Sequence, residues 1–337
     1  MFAGENHEVR TVFPPMPSTI CGAVRSAALT QLGISPRDYR QHSNEIAAQQ
    51  PFLGHPEQAG FTVLGPLFLL NYGSEPSVLF PAPAHWFAEH NPQKCPDGKI
   101  LGVQPAKPLR LDESGLGLCG SVPKPAWIKR PAAQELEPLA GCWVNEAALN
   151  ATGEKFTFTV RRLTNSTVAV SSGQPIIIPA ADLFVYEQRV GIALDTSKFE
   201  TSRAVKNGHL YATAHVRLRE GVSLLAGLES DHPFCLQPDG ILQLGGEQRV
   251  CRYRILQKFT QALAKDGKTL LALAPVPVGS VPEDLSRAGG KLLRMAGWDM
   301  VKNNGRGFHK KTVSYYPAGT VFFETDCATA IPGCVRI

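Results

Sequence analysis

Positive charge is concentrated in one segment near the C-terminal end of the sequence, between Leu285 and Thr312. Seven cations fall there, and they are Arg287, Lys291, Arg294, Lys302, Arg306, Lys310 and Lys311. Asp299 is the only acid of the segment, so the local charge is +6, against +5 for the whole chain and −1 for the remainder. A local excess of this size favours an anionic partner such as nucleic acid.

Glycines and aromatic residues are interspersed among these cations. They are Gly289, Gly290, Gly297, Gly305 and Gly307, together with Trp298 and Phe308. Glycine lets a backbone approach phosphates closely, and aromatic rings can stack on unpaired bases. The segment therefore predicts an RNA-binding strip, although a solvated basic loop that binds nothing in particular would have the same composition.

Two further patterns suggest contact with RNA, and each has an ordinary explanation as well. Paired glycines, Gly245 and Gly246, stand beside Arg249 after a predicted strand, which also suits a simple hairpin turn. His209 and His215 are six residues apart in a strand-like stretch and so share one face, where they could serve acid/base cleavage of RNA. Histidines of strands are more commonly solvent-facing or hydrogen-bonded, so a nuclease is the alternative here, not the main hypothesis.

Other catalytic and metal-binding patterns are missing from the sequence or out of context. The letters G-x-G-x-x-G occur at residues 115–120, but Pro123 and Pro125 prevent the helix that a dinucleotide site requires. No H-E-x-x-H or G-x-S-x-G pattern is present, and the eight cysteines form no C-x-x-C pair. We therefore expect no catalytic residues, no metal and no cofactor, and free, mostly buried thiols.

The elements that would position these residues indicate an α+β fold with few helices and many antiparallel strands. The 31 glycines and 27 prolines disfavour a helical bundle. One clear helix is predicted to start at Ser18, as its N-cap, and to stop at Gly33. Strand pairs are predicted for 61–72 with 78–87, 155–161 with 167–170, and 184–194 with 209–218; shorter strands are predicted at 222–228, 241–244 and 313–324. Residues 285–295 suggest a short helix, and residues 88–139 an irregular excursion over a partner surface.

The apolar stretches are too short to span a membrane, since the longest, at 61–70, is interrupted by Gly65-Pro66. The first residues show no basic patch followed by an apolar run, so no signal peptide is indicated. We expect a cytoplasmic protein with no membrane partner.

Several blocks of the sequence, taken in order, resemble a known family: the third subunit of the Cmr module, the RAMP-superfamily protein that caps the type III-B CRISPR effector complex. The blocks are residues 2–5 (FAGE), 12–25 (VFPPMPSTICGAVR), 79–84 (LFPAPA), 188–195 (QRVGIALD) followed by 208–211 (GHLY), 244–249 (LGGEQR), 297–299 (GWD) and 317–322 (PAGTVF). The second block is the most specific. The family pattern also has an opening strand before the first block and a helix and closing strand after the last, so the first sheet is expected to lack its opening strand.

The resemblance implies two RRM-like (ferredoxin-like) units with antiparallel sheets and long irregular insertions. The first would span 1–255, with insertions at about 36–60 and 88–150 and a β-hairpin at about 184–218, and the second, incomplete, would span 256–337. It also implies a non-catalytic role: holding the 5′ tag of the CRISPR RNA (crRNA) and bridging the large polymerase/cyclase-like subunit to the backbone RAMP subunit. A processing endoribonuclease and a purely structural bridge are the alternatives.

The resemblance further implies which residues contact the RNA. Ser18, Thr19 and Gly22 open the first helix, where free N–H groups and hydroxyls can receive a phosphate, and Arg25 lies about two turns along it. The remaining candidates are Arg189, Gly245, Gly246, Arg249, Lys291, Arg294, Lys302, Arg306, Lys310 and Lys311. Arg189 and Asp195 could equally stabilise the hairpin as an ion pair.

Overall fold

A computed structural model of the chain describes residues 8–9, 12–71, 76–108, 124, 126–128, 135–151, 153–163, 173–194, 205–245, 249–256, 267–299, 308–323, 325 and 330–337. The helices are α1 (Pro17–Gln31), α2 (Pro36–Gln41), α3 (Ser43–Gln49) and α4 (Glu146–Leu149). The strands are β1 (Glu8–Val9), β2 (Thr62–Leu70), β3 (Ser77–Pro81), β4 (Trp86–Ala88), β5 (Ile100–Pro105), β6 (Lys107–Pro108), β7 (Ala126–Trp127), β8 (Glu137–Pro138), β9 (Cys142–Asn145), β10 (Phe156–Val160), β11 (Ile176–Pro179), β12 (Phe184–Leu194), β13 (Val205–Leu218), β14 (Val222–Glu229), β15 (Asp239–Gln243), β16 (Val250–Arg254), β17 (Leu270–Ala272), β18 (Val276–Pro277), β19 (Arg287–Ala288), β20 (Leu293–Met295), β21 (Trp298–Asp299), β22 (Phe308–His309), β23 (Val313–Tyr316), β24 (Val321–Phe322) and β25 (Cys334–Arg336).

The fold is α+β, as predicted, and centres on a nine-stranded sheet with the order β14-β2-β3-β9-β11-β10-β5-β4-β8. All its pairs are antiparallel except β10 with β11. Phe68, Phe80 and Phe158 lie in its core and are essentially fully buried. The predicted pairing of 61–72 with 78–87 is confirmed by β2 and β3, although the second run divides into β3 and β4.

Helix α1 packs on this sheet through the buried Ile20 and Val24, which lie in one cluster with Val63 of β2. Ala28, the next buried residue at helical spacing, packs against Tyr39 and Leu53. The N-cap of α1 lies two residues earlier than predicted: Met16 is the N-cap residue, so Ser18 lies inside the first turn instead of capping it. The shift has a simple cause, because proline is well suited to the first helical position. At the other end the chain leaves the helix at Gly33, whose φ is +69°, as predicted.

The C-terminal strands share a core with the large sheet. Leu271 and Phe323 belong to the same buried cluster as the central phenylalanines. The junction is close, since the N–H of Ala84 donates to the carbonyl of Gly319 at 2.8 Å. Gly319 has a φ of +87°, and a Cβ there would lie 2.7 Å from the carbonyl oxygen of Ala82. Two of the blocks noted in the sequence, residues 79–84 and residues 317–322, therefore contact each other in the fold.

Two further sequence predictions, for residues 285–295 and 88–139, are wrong. Residues 285–295 do not form a helix but contain β19 and β20, because each pairs with a C-terminal strand, β24 and β23. Residues 88–139 are not an irregular excursion throughout, since β5 lies inside the large sheet with Leu101 and Val103 buried. For β10, the predicted partner 167–170 lies outside the described residues, and the strands that pair with β10 are β5 and β11.

No helix among the described residues is long and apolar enough to cross a membrane. Within the same residues, no group of three or more histidine, cysteine or acidic side chains is placed to hold a metal ion. The six described cysteines are unbridged; Cys95 and Cys142 are buried, and burial raises the pKa of the Cys142 thiol to about 12.

Candidate nucleic-acid interface

The longest hairpin of the described chain is formed by β12 and β13. Its eleven-residue first strand is about 37 Å long at about 3.4 Å per residue. The base of the hairpin is anchored in the core, where Phe184 packs edge-on against Phe13, with ring centroids 4.6 Å apart, and lies 6.0 Å from Phe68. The prediction that residues 184–194 pair with residues 209–218 is confirmed.

One face of this hairpin collects polar and charged side chains. Glu187 pairs across the strands with His215, Arg189 with Thr213, and Val185 with Arg217. Because directly paired residues project to the same side of a sheet, these side chains share one face. We call this surface, together with Arg249 described below, the arginine face.

Glu187 lies at the centre of the arginine face and organises two of its cations. Its carboxylate contacts Arg217 Nε at 2.7 Å and a terminal guanidinium nitrogen of Arg189 at 3.5 Å. The side chains of Arg217 and Arg189 are 71% and 57% exposed, so both guanidinium groups remain open to an external anion. The ion pair considered for Arg189 exists, but its acid is Glu187; Asp195 lies outside the described residues.

His215 connects the arginine face to a second hairpin. Its Nε2 lies 3.2 Å from a guanidinium nitrogen of Arg249 and 3.1 Å from the hydroxyl of Thr213. A guanidinium can only donate, so Nε2 is the acceptor in the contact with Arg249. That arrangement opposes the use of Nε2 as a general acid. The side chain of His209 is outside the described part of the structure.

The second hairpin, β15 with β16, is held on helix α1. The side-chain amide of Gln31 donates to the hydroxyl of Tyr253 at 2.8 Å, and Leu244 packs against the cluster that includes the first turns of α1. Gly245, with a φ of +87°, follows the end of β15. Gly246 is not among the described residues. This hairpin thus brings Arg249 to the arginine face, 60 residues along the sequence from Arg189.

The start of α1 offers fewer donors than the sequence suggested. Pro17 has no N–H, and the N–H of Thr19 already donates to the carbonyl of Met16 at 2.9 Å. Ser18 is exposed, and no atom of the described residues lies within 4 Å of a Cβ placed on Gly22.

The side chain of Arg25 is bound to the loop that precedes β2. Its guanidinium donates to the carbonyls of His55 at 2.7 Å and Pro56 at 2.9 Å, and it lies 3.5 Å from the hydroxyl of Tyr39. These contacts fasten the loop before β2 to helix α1. Sequence spacing could not reveal them, because the acceptors are backbone oxygens about 30 residues away.

The basic segment predicted from the sequence forms short antiparallel strand pairs, and β20 is the edge of a three-stranded sheet with the order β18-β23-β20. In it, β20 pairs with β23 and β21 with β22, both antiparallel. We call this element the basic ribbon; its described and exposed cations are Lys291, Arg294, Lys310 and Lys311. Lys302 and Arg306 lie outside the described residues.

Local contacts distinguish the cations of this segment from one another. The N–H of Lys310 donates to the carbonyl of Gly297 at 2.8 Å, and a Cβ on Gly297 would lie 3.2 Å from Lys310 Cδ. Glycine therefore leaves room for the lysine stem. Arg287 is used internally: its guanidinium lies 5.3 Å from the centre of the Tyr316 ring and donates to the carbonyls of Glu283 and Leu285.

Sequence reasoning missed Glu187 and Arg217 as members of the site. A signal for both was available, because each lies two residues from a residue already singled out, Arg189 and His215, on a predicted strand.

Comparisons with known proteins give a family match and two structural similarities. The model of the Cas_Cmr3 family, described as "CRISPR-associated protein", matches residues 1–326. A search of curated proteins found no match. A chain from the cryo-EM structure of the Type III-B Cmr-beta bound to cognate target RNA and AMPPnP is similar at 15% identity and a TM-score of 0.46, over 95% of this chain and 81% of that one. A chain from the corresponding complex with cognate target RNA gives 15% and 0.45, over 96% and 82%.

Proposed function

The chain belongs to the Cas_Cmr3 family of CRISPR-associated proteins, and from this premise we propose that it is a non-catalytic subunit of a type III-B effector complex that holds the 5′ tag of the crRNA. The observation that carries the proposal is the convergence of Arg189, Arg217 and Arg249 on one hairpin face. Arg189 and Arg217, both exposed, share the single carboxylate of Glu187, and this excess of positive charge suits a phosphate backbone.

The arginine face has two properties expected of a site for single-stranded RNA. Glu187 restrains the arginines without burying them, so less side-chain entropy is lost when a phosphate binds. Thr213 and His215 add polar groups beside the cations, within reach of sugars and base edges.

The basic ribbon extends the same proposal to a second surface. Its described cations are exposed, and no ion pair involving Lys291, Arg294, Lys310 or Lys311 exists among the described residues. Ser18, Thr19 and Gly22 at the start of α1 remain candidates for a phosphate contact. Lys302, Arg306 and Gly246 remain candidates from the sequence.

The proposal includes partners and organisation as well. The large polymerase/cyclase-like subunit and the backbone RAMP subunit are the proposed protein partners. The RRM-like nature of the two units and their division near residue 255 also belong to the proposal.

Binding of guide RNA is tested with a variant of the arginine face and a control matched in charge. Arg189, Arg217 and Arg249 are changed together to alanine, while the control carries Arg37→Ala, Lys94→Ala and Lys155→Ala, three exposed cations far apart in the sequence. We expect the first variant to lose about tenfold or more in affinity for tag-bearing RNA and its salt slope to fall by about 2, with the control near wild type. Equal losses of RNA affinity in both variants would show that the arginine face contributes no more than any other positive charge on the surface.

The enzyme alternative has its own test. Purified protein is incubated with labelled repeat RNA, alongside His215→Ala and His209→Ala variants. We expect no specific cleavage; a cut that disappears in either variant would contradict the non-catalytic role.

A further inference from the structure

The two edges of the nine-stranded sheet differ. One edge is β8, only two residues long, whose Pro138 has no N–H and whose Glu137 is exposed. Short length, proline and charge are the usual devices that keep a sheet edge from pairing with another chain. The other edge is β14, eight residues long, with neither proline nor charge before Glu229.

The outer side of β14 presents backbone groups that a strand could bind. Within the described residues, β14 pairs only with β2. The N–H of Asn71 donates to the carbonyl of Gly221, so this pair is hydrogen-bonded, and alternation turns the backbone groups of Val222 and Leu224 away from β2. The N–H and carbonyl of Leu224 have no partner among the described residues.

We propose that the outer edge of β14 is a docking site for an extended segment of a partner protein, which adds to the large sheet as a further strand. This inference rests on the proposed function, in that the partner is another protein subunit of the same complex. A peptide backbone is the matching ligand, because it alone presents N–H and C=O groups at the strand repeat.

The side chains along β14 define the chemistry of the incoming segment. Leu224, Leu225 and Leu228 are half-buried: the first two pack against the core of the large sheet, and Leu228 packs against the cluster that contains Ile20 and Val24 of α1. Glu229 is exposed and has no ion pair among the described residues. The docking segment should therefore carry apolar residues along its length and a lysine or arginine opposite Glu229.

A second copy of this chain fits the edge less well. Antiparallel pairing of two β14 strands over their full length would set each Glu229 against the apolar Val222 of the other copy, so neither carboxylate would find a cation.

The test uses a pair of variants at one position. Leu224→Pro removes the outward N–H, which β2 does not use, whereas Leu224→Ala trims the side chain and keeps the N–H. Each full-length variant is co-expressed with the large subunit and the backbone RAMP subunit proposed as its partners, and its retention in the purified complex is measured. We expect Leu224→Pro to reduce incorporation about tenfold relative to Leu224→Ala, while both variants bind tag-bearing RNA as wild type does.

Hydrogen exchange of the unaltered protein provides a second measurement that does not depend on folding of a variant. We expect the Leu224 amide to exchange quickly in the isolated chain and at least about tenfold more slowly in the assembled complex. Unchanged exchange in a complex that forms and binds guide RNA would overturn the docking site and leave the proposed function standing.

Other results overturn the proposal in distinguishable ways. Protection of Leu224 by RNA alone would make β14 an RNA contact, and protection that accompanies dimerisation of the isolated chain would make the occupant a second copy. Failure to assemble with either proposed partner subunit would contradict the docking site and the proposed function together.

Discussion

Two sets of arginines in this molecule occupy opposite environments. Arg162 and Arg25 are turned inward: Arg162 contacts the buried carboxylate of Asp182 at 2.6 Å, and Arg25 donates to two loop carbonyls. Arg189 and Arg217 are turned outward and share one half-buried carboxylate, Glu187. Both inner arginines donate hydrogen bonds to backbone carbonyls, Arg162 to those of Gln93 and Cys95, whereas the outer ones have spare capacity for an anion.

The difference teaches that arginines in family blocks can have different structural environments. Arg25 and Arg189 both lie in blocks that resemble the family, yet Arg25 is bound to loop carbonyls while the guanidinium of Arg189 is exposed. We therefore expect mutation of the inner arginines to lower stability and mutation of the outer ones to lower RNA affinity.

The largest effect is expected at Arg162. Its replacement by alanine leaves Asp182, whose side chain is 3% exposed, as a buried charge without its partner. Loss of one member of a buried pair costs about 3–5 kcal/mol, so the urea midpoint should fall steeply. RNA affinity of the remaining folded protein should be unchanged. A loss of stability below about 1 kcal/mol would contradict a stabilising role for the contact between Arg162 and Asp182.

A buried histidine, His85, extends the comparison to the dependence of stability on pH. Burial lowers the pKa of His85 to about 4, from an ordinary 6.5. The unfolded chain therefore binds a proton at this histidine more readily than the folded chain does. Above about pH 6.5 His85 is neutral in both states and costs no stability, and the free energy of unfolding falls as the pH drops from there toward 4. Urea denaturation at several pH values should show this slope, and His85→Phe, beside the ring of Phe323, should reduce it. An identical slope in the variant would place the titration elsewhere.

A smaller loss is expected for Arg25→Ala. Two hydrogen bonds from a charged donor to backbone carbonyls disappear, at a cost of about 1–3 kcal/mol in the free energy of unfolding. Affinity for tag-bearing RNA should stay at the wild-type value when measured well below the unfolding transition. A drop in affinity larger than the drop in stability would move Arg25 to the outer set and break the comparison.

The smallest change in stability is expected for Arg217→Ala. Because its ion pair with Glu187 is exposed, stability should change by less than about 1 kcal/mol, as measured by thermal unfolding. RNA affinity should fall several-fold, and a Glu187→Gln variant should bind RNA at least as tightly as wild type, since it removes a negative charge from the arginine face. Weaker binding by Glu187→Gln would mean that its charge is needed to hold the arginines in place.

Much of the fold follows from local patterns in the sequence. Helix α1 and the pairs β2 with β3 and β12 with β13 have clear apolar periodicity and recognisable ends. The helix predicted at 285–295 failed because leucines at helical spacing also suit two short strands once β23 and β24 lie alongside. Strand β11 was missed because its partners, β9 and β10, are fixed only by tertiary pairing.

The candidate site was predictable in its residue types but not in its geometry. Arg189 and Arg249 come from separate blocks, and only the packing of β15 on α1 brings Arg249 to His215. The inward contacts of Arg25 depend on a loop whose conformation no spacing rule specifies.

Crosslinking of guide RNA to the assembled protein tests the central claim most directly. CrRNA carrying a photoreactive uridine at successive tag positions is irradiated in the complex, and crosslinked peptides are identified by mass spectrometry. We expect crosslinks from the tag to peptides that contain residues 185–189, 213–217 or 249–254, with a further set on the basic ribbon. Tag crosslinks confined to other segments of the chain, or to other subunits, would contradict the assignment of the arginine face to guide RNA.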